Sequence, residues 1–260
     1  MVHGLHGRRR SGVGENFWQF RRFNEGDVPG RIDWRRSARD EHLYIREQEW
    51  EAAHTVWLWI DRSRSMAFRS SLSDVTKLER AVVLGLAVAD LLVRGGERVG
   101  LLGLTRPTAS RLAIEKLAEA LVHAEDDANH LPPPAAPIAR LAEAVLIGDL
   151  LAPEEEIAAT VAALAGRGGR GHMVMIVDPV EETFPFSGRT EFLDPDASVK
   201  LVAGRAEEWR AGYEARLARH RAALADIARR RGWTLTIHRT DRPATEPLLA
   251  LHARLGEAER

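Results

Sequence analysis

The sequence predicts an α/β fold: a central, mostly parallel sheet with helices on both faces, preceded by an extended N-terminal segment. Three observations carry the prediction. Short unbroken apolar runs recur at Val56–Ile60, Ala144–Gly148 and His172–Val177, each the length of a strand buried on both faces. Helix-period stretches stand between them, at Lys77–Arg94 and Glu154–Ala165 among others. Each run is also followed at once by an aspartate, Asp61, Asp149 and Asp178, as expected where strands reach a common carboxyl edge. The chain divides into residues 1–50, an Arg- and aromatic-rich segment docked on the main domain, and residues 51–260, the α/β domain.

The elements follow in order. Phe17, Trp18, Phe20 and Phe23 sit among arginines and are expected to dock the first segment, with the arginines solvated. Gly26-Asp27 and Pro29-Gly30 are turn pairs. Asp27 and Asp33 among Arg31, Arg35, Arg36 and Arg39 suggest a charge-assisted clamp around Trp34. His42–Arg46 reads as a strand able to pair with the strand at Val56. Lys77–Arg94 carries Leu78, Val82, Leu86, Ala89 and Val93 on one face and stops at Gly95-Gly96. Arg98–Leu104 follows as a strand and Leu112–Ala124 as a helix. A proline-rich loop from Pro132 to Pro137 leads into a short helix before the apolar strand at Ala144. Glu154–Ala165 begins with three glutamates, favourable at a helix N-terminus. Gly166–Gly171 (G-R-G-G-R-G) lacks the Lys-Ser/Thr of a P-loop and precedes a strand, so it is a connection and not a phosphate cradle. Val180–Asp196 holds short β-like pieces and turns. Gly204–Arg231 is a long helix, Trp233–His238 a last strand and Glu246–Leu255 a closing helix. Such alternation calls for crossover connections and a sheet covered on both sides.

Composition excludes several classes. The 260 residues carry a formal net charge of −1, which gives no global electrostatic case for nucleic acid or an anionic membrane. The absence of cysteine removes disulfides, thiolate metal sites and cysteine nucleophiles. No apolar run is long enough to span a bilayer, and the N-terminus has no apolar h-region, so the expected location is cytoplasmic.

The chemistry concentrates at V-W-L-W-I-D-R-S-R-S-M, Val56–Met66. After the apolar strand, Asp61, Ser63 and Ser65 offer an oxygen at every second position, and a loop can turn all three towards one point. One carboxylate and two hydroxyls are hard donors suited to Mg²⁺ or Mn²⁺, and Asp149, ending the neighbouring strand, supplies a further carboxylate on the same rim. The competing reading is that Asp61 or Ser63 caps the following helix. Asp178 precedes Pro179, which makes a turn role at least as reasonable. His123 and His130 flank a helix end and read as surface residues. No G-x-S-x-G or H-E-x-x-H motif occurs.

D-R-S-R-S-M resembles the metal-ion-dependent adhesion motif of von Willebrand factor A domains. G-D-V-P-G-R-I-D-W-R-R-S-A-R at Gly26–Arg39, together with D-P-V-E-E-T-F-P-F at Asp178–Phe186, resembles the bacterial family called domain of unknown function 58 (DUF58). The resemblance implies a Rossmann-like A-type domain whose ion site binds a protein partner, often through an acidic side chain of that partner. It further implies an adaptor or assembly role beside a MoxR-type AAA+ ATPase, without enzymatic activity. Asp61, Ser63 and Ser65 match the first loop of the motif and Asp149 is similar to its third-loop aspartate. The second-loop threonine has no counterpart, since residues 112–148 contain neither Thr nor Ser; Thr105, Thr108 and Ser110 come earlier. The alternative function is a Mg²⁺-dependent hydrolase or phosphatase using the Asp61/Asp149 rim.

Overall fold

The computed structural model describes residues 8–12, 16–24, 27–39, 41–52, 54–124, 130–133, 142–166, 169–195 and 199–257. The fold is built on a five-stranded, wholly parallel sheet. Its strands are β4 (Thr55–Ile60), β5 (Arg98–Leu101), β6 (Glu143–Gly148), β7 (Arg170–Val177) and β10 (Thr234–Arg239), in the spatial order β10-β7-β6-β4-β5. The other strands are β1 (Arg8–Gly12), β2 (Asn16–Arg22) and β3 (Tyr44–Ala52), which form an antiparallel sheet in the order β1-β3-β2, and β8 (Thr190–Leu193) with β9 (Lys200–Ala203), an antiparallel pair. The helices are α1 (Trp34–Ser37), α2 (Lys77–Arg94), α3 (Ala113–His123), α4 (Glu154–Ala165), α5 (Pro179–Thr183), α6 (Arg210–Arg230) and α7 (Thr245–Glu257).

Period-2 alternation divides the central strands between two cores. Val56, Leu58 and Ile60 of β4 face one way with Val145, Ile147, Val174 and Ile176, and are covered by α2, α3 and α7 through Leu84, Val88, Leu117, Leu251 and Leu255. Trp57 and Trp59 face the other way with Leu146, Met173 and Met175, and are covered by α4 and α6 through Ile157, Val161, Leu164, Leu224 and Ala228. This is why the strands read as continuous apolar runs. Both of their faces are buried, as in a parallel α/β sheet covered by helices on each side.

The chain steps from β4 to β5 on one side and then crosses back to place β6 on the other side of β4. The winding direction therefore reverses between β4 and β6. Above their carboxyl ends lies the crevice in which open α/β sheets hold ligands.

Several expectations change. Of the strand expected at His42–Arg46, Tyr44–Arg46 begin a longer strand, β3, which pairs with β1 and β2 and not with β4. A neighbour in sequence is not a neighbour in the sheet here, because β4 is already paired on both edges by β5 and β6. The clamp around Trp34 is also different. Arg21 grips Asp27 through two hydrogen bonds of 2.9 and 2.8 Å, Asp33 caps α1 by accepting from the Arg36 amide, and Trp34 itself is exposed. The segment 180–196 contains the helix α5 ahead of β8, and the long C-terminal helix starts at Arg210 and not at Gly204, since Lys200–Ala203 pairs with β8. Strand β5 stops at Leu101 because Thr105 Oγ1 accepts from the Leu101 amide and turns the chain. The short helix expected before Ala144 and the side chains of Phe17 and Trp18 lie outside the described residues.

Gly171 shows how closely the layers pack: a Cβ there would sit 2.5 Å from ring atoms of Trp233. Gly171→Ala is expected to lower unfolding stability by about 1–3 kcal/mol through overpacking, read as a reduced urea midpoint with an unchanged m-value. His238 is buried near Arg80, and burial first, then Arg80, push its pKa down to about 4. It therefore stays neutral in the fold while the unfolded chain takes up a proton below pH ~6.5. Stability is expected to fall as the pH drops from ~6.5 towards ~4, and His238→Gln should flatten that slope in urea melts across the range.

Candidate functional site

The site forms where β4 and β6 end. The Asp61 amide still donates to Ile147 O at 2.9 Å, so this aspartate continues the ladder by one residue and its side chain lies against Gly148. A Cβ on Gly148 would meet Asp61 Cβ at 2.7 Å and Oδ2 at 3.0 Å, so only glycine leaves the carboxylate its place. Beyond Asp61 the chain turns because Asp61 Oδ1 accepts from the Ser63 amide at 2.8 Å. That bond settles the capping question. Ser63 precedes a short 3-10 turn, Arg64–Ala67, without a side-chain capping bond, and α2 is capped by Thr76 in a reciprocal pair with Glu79.

The four residues singled out from sequence lie together. Ser65 Oγ donates to Asp149 Oδ2 at 2.7 Å, and Ser63 Oγ is 3.0 Å from Ser65 Oγ. A hydroxyl has one hydrogen, and that of Ser65 goes to the carboxylate, so Ser63 donates to Ser65. Asp61 is wholly buried, and its Oδ2 has no hydrogen-bond partner among the described residues. Burial first, and then the charge of Asp149, push its pKa up to about 6.

Two participants were not foreseen. Lys77, at the first position of α2, is 1% exposed, and its Nζ donates to Asp149 Oδ2 at 3.1 Å and to Glu181 Oε1 at 2.8 Å. Burial works against its charge, but Asp149 and Glu181 outweigh burial and hold its pKa above the ordinary value. Burial likewise opposes ionisation of Asp149, and the Lys77 ammonium with the Ser65 hydroxyl outweighs it and lowers the carboxyl. The sequence held one signal: a lysine in the first turn runs against the helix dipole, so some other partner had to compensate it.

The second participant is His130. It is half-buried, not a surface residue, and one of its ring nitrogens lies with carboxylate oxygens of Asp61 and Asp149 in a cluster whose atoms are all within 4.8 Å of one another. Nearby, Pro133 helps line a cavity of about 140 Å³ with Leu58, Ile60, Leu101 and Leu104 at the ends of β4 and β5. The earlier threonines serve the backbone instead: Thr105 accepts from Leu101 and Thr108 from the Ser110 amide.

Asp178 supports the rim from one strand further away. Its Oδ1 accepts from the Val180 amide and caps α5, while its Oδ2 accepts from the Ser70 amide at 2.9 Å and ties the loop after β4 to β7. Leu150, next to Asp149, adopts φ +51°, a left-handed conformation that costs a branched residue of order 1–3 kcal/mol. His220 lies 2.7 Å from its carbonyl oxygen and Leu150 itself is fully buried, which holds the strained turn in place.

These groups fit a divalent cation: a buried carboxylate oxygen with no hydrogen-bond partner among the described residues lies near a second carboxylate, an imidazole and two hydroxyls. In the ion-free chain the same arrangement is a cost. A carboxyl whose folded-state pKa is raised from 3.8 to about 6 binds its proton more tightly in the fold, so stability falls as the pH rises through that window. Asp61→Asn should therefore stabilise the ion-free chain at pH 7.5 by of order 3 kcal/mol, an advantage that vanishes below pH ~4. Urea melts in the presence of a chelator test it, and equal stabilities at pH 7.5 would refute it. Lys77→Met should act in the opposite sense, destabilising by roughly 3–5 kcal/mol because Asp149 and Glu181 lose their buried counter-charge.

Comparison with known proteins places this site in a family. Uncharacterized proteins of Mycobacterium bovis and Mycobacterium tuberculosis are each 26% identical to this chain, covering 93% of it and 80% of their own length. Among solved structures, BatB from Bacteroides thetaiotaomicron is 15% identical with a TM-score of 0.47, over 79% of this chain and 100% of that one. An aerotolerance-related membrane protein from Bacteroides fragilis is 16% identical with a TM-score of 0.45 over the same shares. The SpRpn10 VWA domain is 9% identical with a TM-score of 0.37, over 77% of this chain and 95% of that one. The family model for the protein of unknown function DUF58 matches residues 19–223, and the chain belongs to that family.

Proposed function

We propose that this domain is a non-catalytic protein-binding module whose rim holds a divalent cation, Mg²⁺ or Mn²⁺, through Asp61, Ser63, Ser65 and Asp149, and presents it to an acidic side chain of a partner. The observation that carries the reading is the buried Oδ2 of Asp61 at the topological switch point, which has no hydrogen-bond partner among the described residues. Leaving a carboxylate oxygen dry and unpaired is costly unless something binds it.

The surroundings suit protein recognition. Apolar side chains are exposed on the loops that leave the carboxyl ends of three adjacent strands: Phe68 and Leu72 after β4, Leu104 after β5 and Leu151 after β6. Exposed apolar residues grouped about a charged centre are a common form of interaction surface. Two of the carboxylates at these strand ends are engaged within the protein: Asp149 accepts from Ser65 and Lys77, and Asp178 from two backbone amides. The resemblance to the DUF58 family implies a MoxR-type AAA+ ATPase as the partner, and we take the cytoplasm as the default place of action. Among the described residues no helix is long and apolar enough to cross a membrane. We further read residues 1–50 as docked on the main domain.

The test is capture of the ATPase by the immobilised domain in Mg²⁺ or Mn²⁺, compared with chelator. Asp61→Ala is expected to reduce capture at least tenfold, with circular dichroism and the urea midpoint showing a folded domain. Capture that is indifferent to both chelator and Asp61→Ala would remove the ion from the reading. Hydrolysis of a phosphoester panel, lost in Asp61→Ala, would replace the binding module by a hydrolase.

A further inference from the structure

We propose that His130 is a direct ligand of this site, standing in for the missing second-loop hydroxyl, and that the resulting set of two carboxylates and an imidazole selects a transition-metal dication (Mn²⁺, Co²⁺ or Zn²⁺) over Mg²⁺. The inference rests on the ion-dependent reading above and narrows it.

Three observations carry it. A ring nitrogen of His130 and one oxygen each of Asp61 and Asp149 lie within 4.8 Å of one another, so small side-chain adjustments bring them onto one centre. Asp61 Oδ2 is buried without a hydrogen-bond partner among the described residues and is the natural first donor. The chain between α3 and β6, where an oxygen donor is wanted, offers no Thr or Ser, and the threonine hydroxyls after β5 are turned to the Leu101 and Ser110 amides, from which they accept. A half-buried imidazole from that same connection is what the fold supplies instead.

Donor chemistry then decides the ion. Imidazole suits Zn²⁺, Fe²⁺, Ni²⁺ and Cu²⁺, and affinities of mixed N/O sites rise along the first transition row. Mg²⁺ prefers an all-oxygen octahedron, gives up water reluctantly and gains little from nitrogen. Three protein ligands with an open position is the arrangement zinc adopts where it must receive an exogenous group, as a partner's carboxylate would be. Lys77 does not cancel the site's charge. It is balanced by Glu181 as well as touching Asp149, which leaves the negative charge of the aspartates available to a dication.

The experiment is calorimetric titration of the chelator-stripped full chain with Mg²⁺, Mn²⁺, Co²⁺ and Zn²⁺, together with the visible absorption of the Co²⁺ complex, whose ligand-field bands report coordination geometry and whose change in the His130 variants reports loss of the imidazole. The variants are His130→Ala, His130→Asn and Asp61→Ala, each checked for folding by circular dichroism. Wild type is expected to bind Zn²⁺ and Co²⁺ at least about tenfold more tightly than Mg²⁺. His130→Ala should lose at least the roughly 10–100-fold that removal of even an outer-shell partner costs a metal site, with Mg²⁺ affinity nearly unchanged. His130→Asn, which keeps a polar side chain and offers oxygen, should bring the two classes of ion closer together. Asp61→Ala should abolish saturable binding of all four and so reports any background sites. Zn²⁺ and Co²⁺ affinities unaffected by either His130 variant, but lost in Asp61→Ala, would overturn the ligand assignment and leave the ion-dependent reading standing. Absence of saturable binding by wild type for every ion would overturn both.

Discussion

The buried ammonium of Lys77 is the interaction on which the site depends. It reaches from the first turn of α2 to Asp149 at the end of β6 and to Glu181 on α5, joining a helix on one face of the sheet to the loops of two strands. A lysine this deeply buried is tolerated only when paired and hydrogen-bonded, and here two carboxylates do both. The segment D-P-V-E-E-T-F-P-F acquires a physical meaning from it. Asp178 anchors the loop after β4, Glu181 holds Lys77, and Glu182 pairs with Arg221 and Arg239. Phe184 then packs with Phe186, Phe192 and Tyr213 beneath the β8–β9 pair. The Tyr213 hydroxyl closes the arrangement by donating to Glu181 O at 2.6 Å.

Around that anchor the fold carries costs that its core offsets. Asp61 is buried and its pKa is pushed up to about 6, Leu150 sits in a left-handed conformation, and Gly148 lacks a side chain where Asp61 approaches. Such costs persist where the surroundings over-determine them, and two apolar layers packed on a wholly parallel sheet supply that constraint. The remainder of the rim is comparatively relaxed, since Ser63, Ser65 and Asp149 form one chain of donated hydrogens. Asymmetry between a satisfied Asp149 and an unsatisfied Asp61 is what marks the rim as a place for something to bind.

Much of this was legible in the residues. The central strands are short apolar runs because both faces are covered. The helices α2 and α4 were bounded by their own signals, a glycine stop for the one and an acidic first turn for the other. Strand ends at Asp61 and Asp149 followed from the abrupt change from apolar to oxygen-bearing side chains. The D-x-S-x-S spacing brought its three residues to one side because the Asp61–Ser63 turn is local, closed by a hydrogen bond across two residues.

What the sequence by itself determined is therefore what short-range forces decide: the apolar strands, the helix faces and stops, and the presence of aspartates where strands end. Tertiary structure alone decided which strand pairs with which, so that β3 joins β1 and β2 while β4 lies between β5 and β6. It also decided that Lys77 is a buried counter-ion and that His130 joins the acids. Lys77 meets Asp149 across 72 residues and Glu181 across 104. No periodicity or spacing encodes such contacts, because they exist only after packing has excluded water and made one arrangement of buried charges much cheaper than the others.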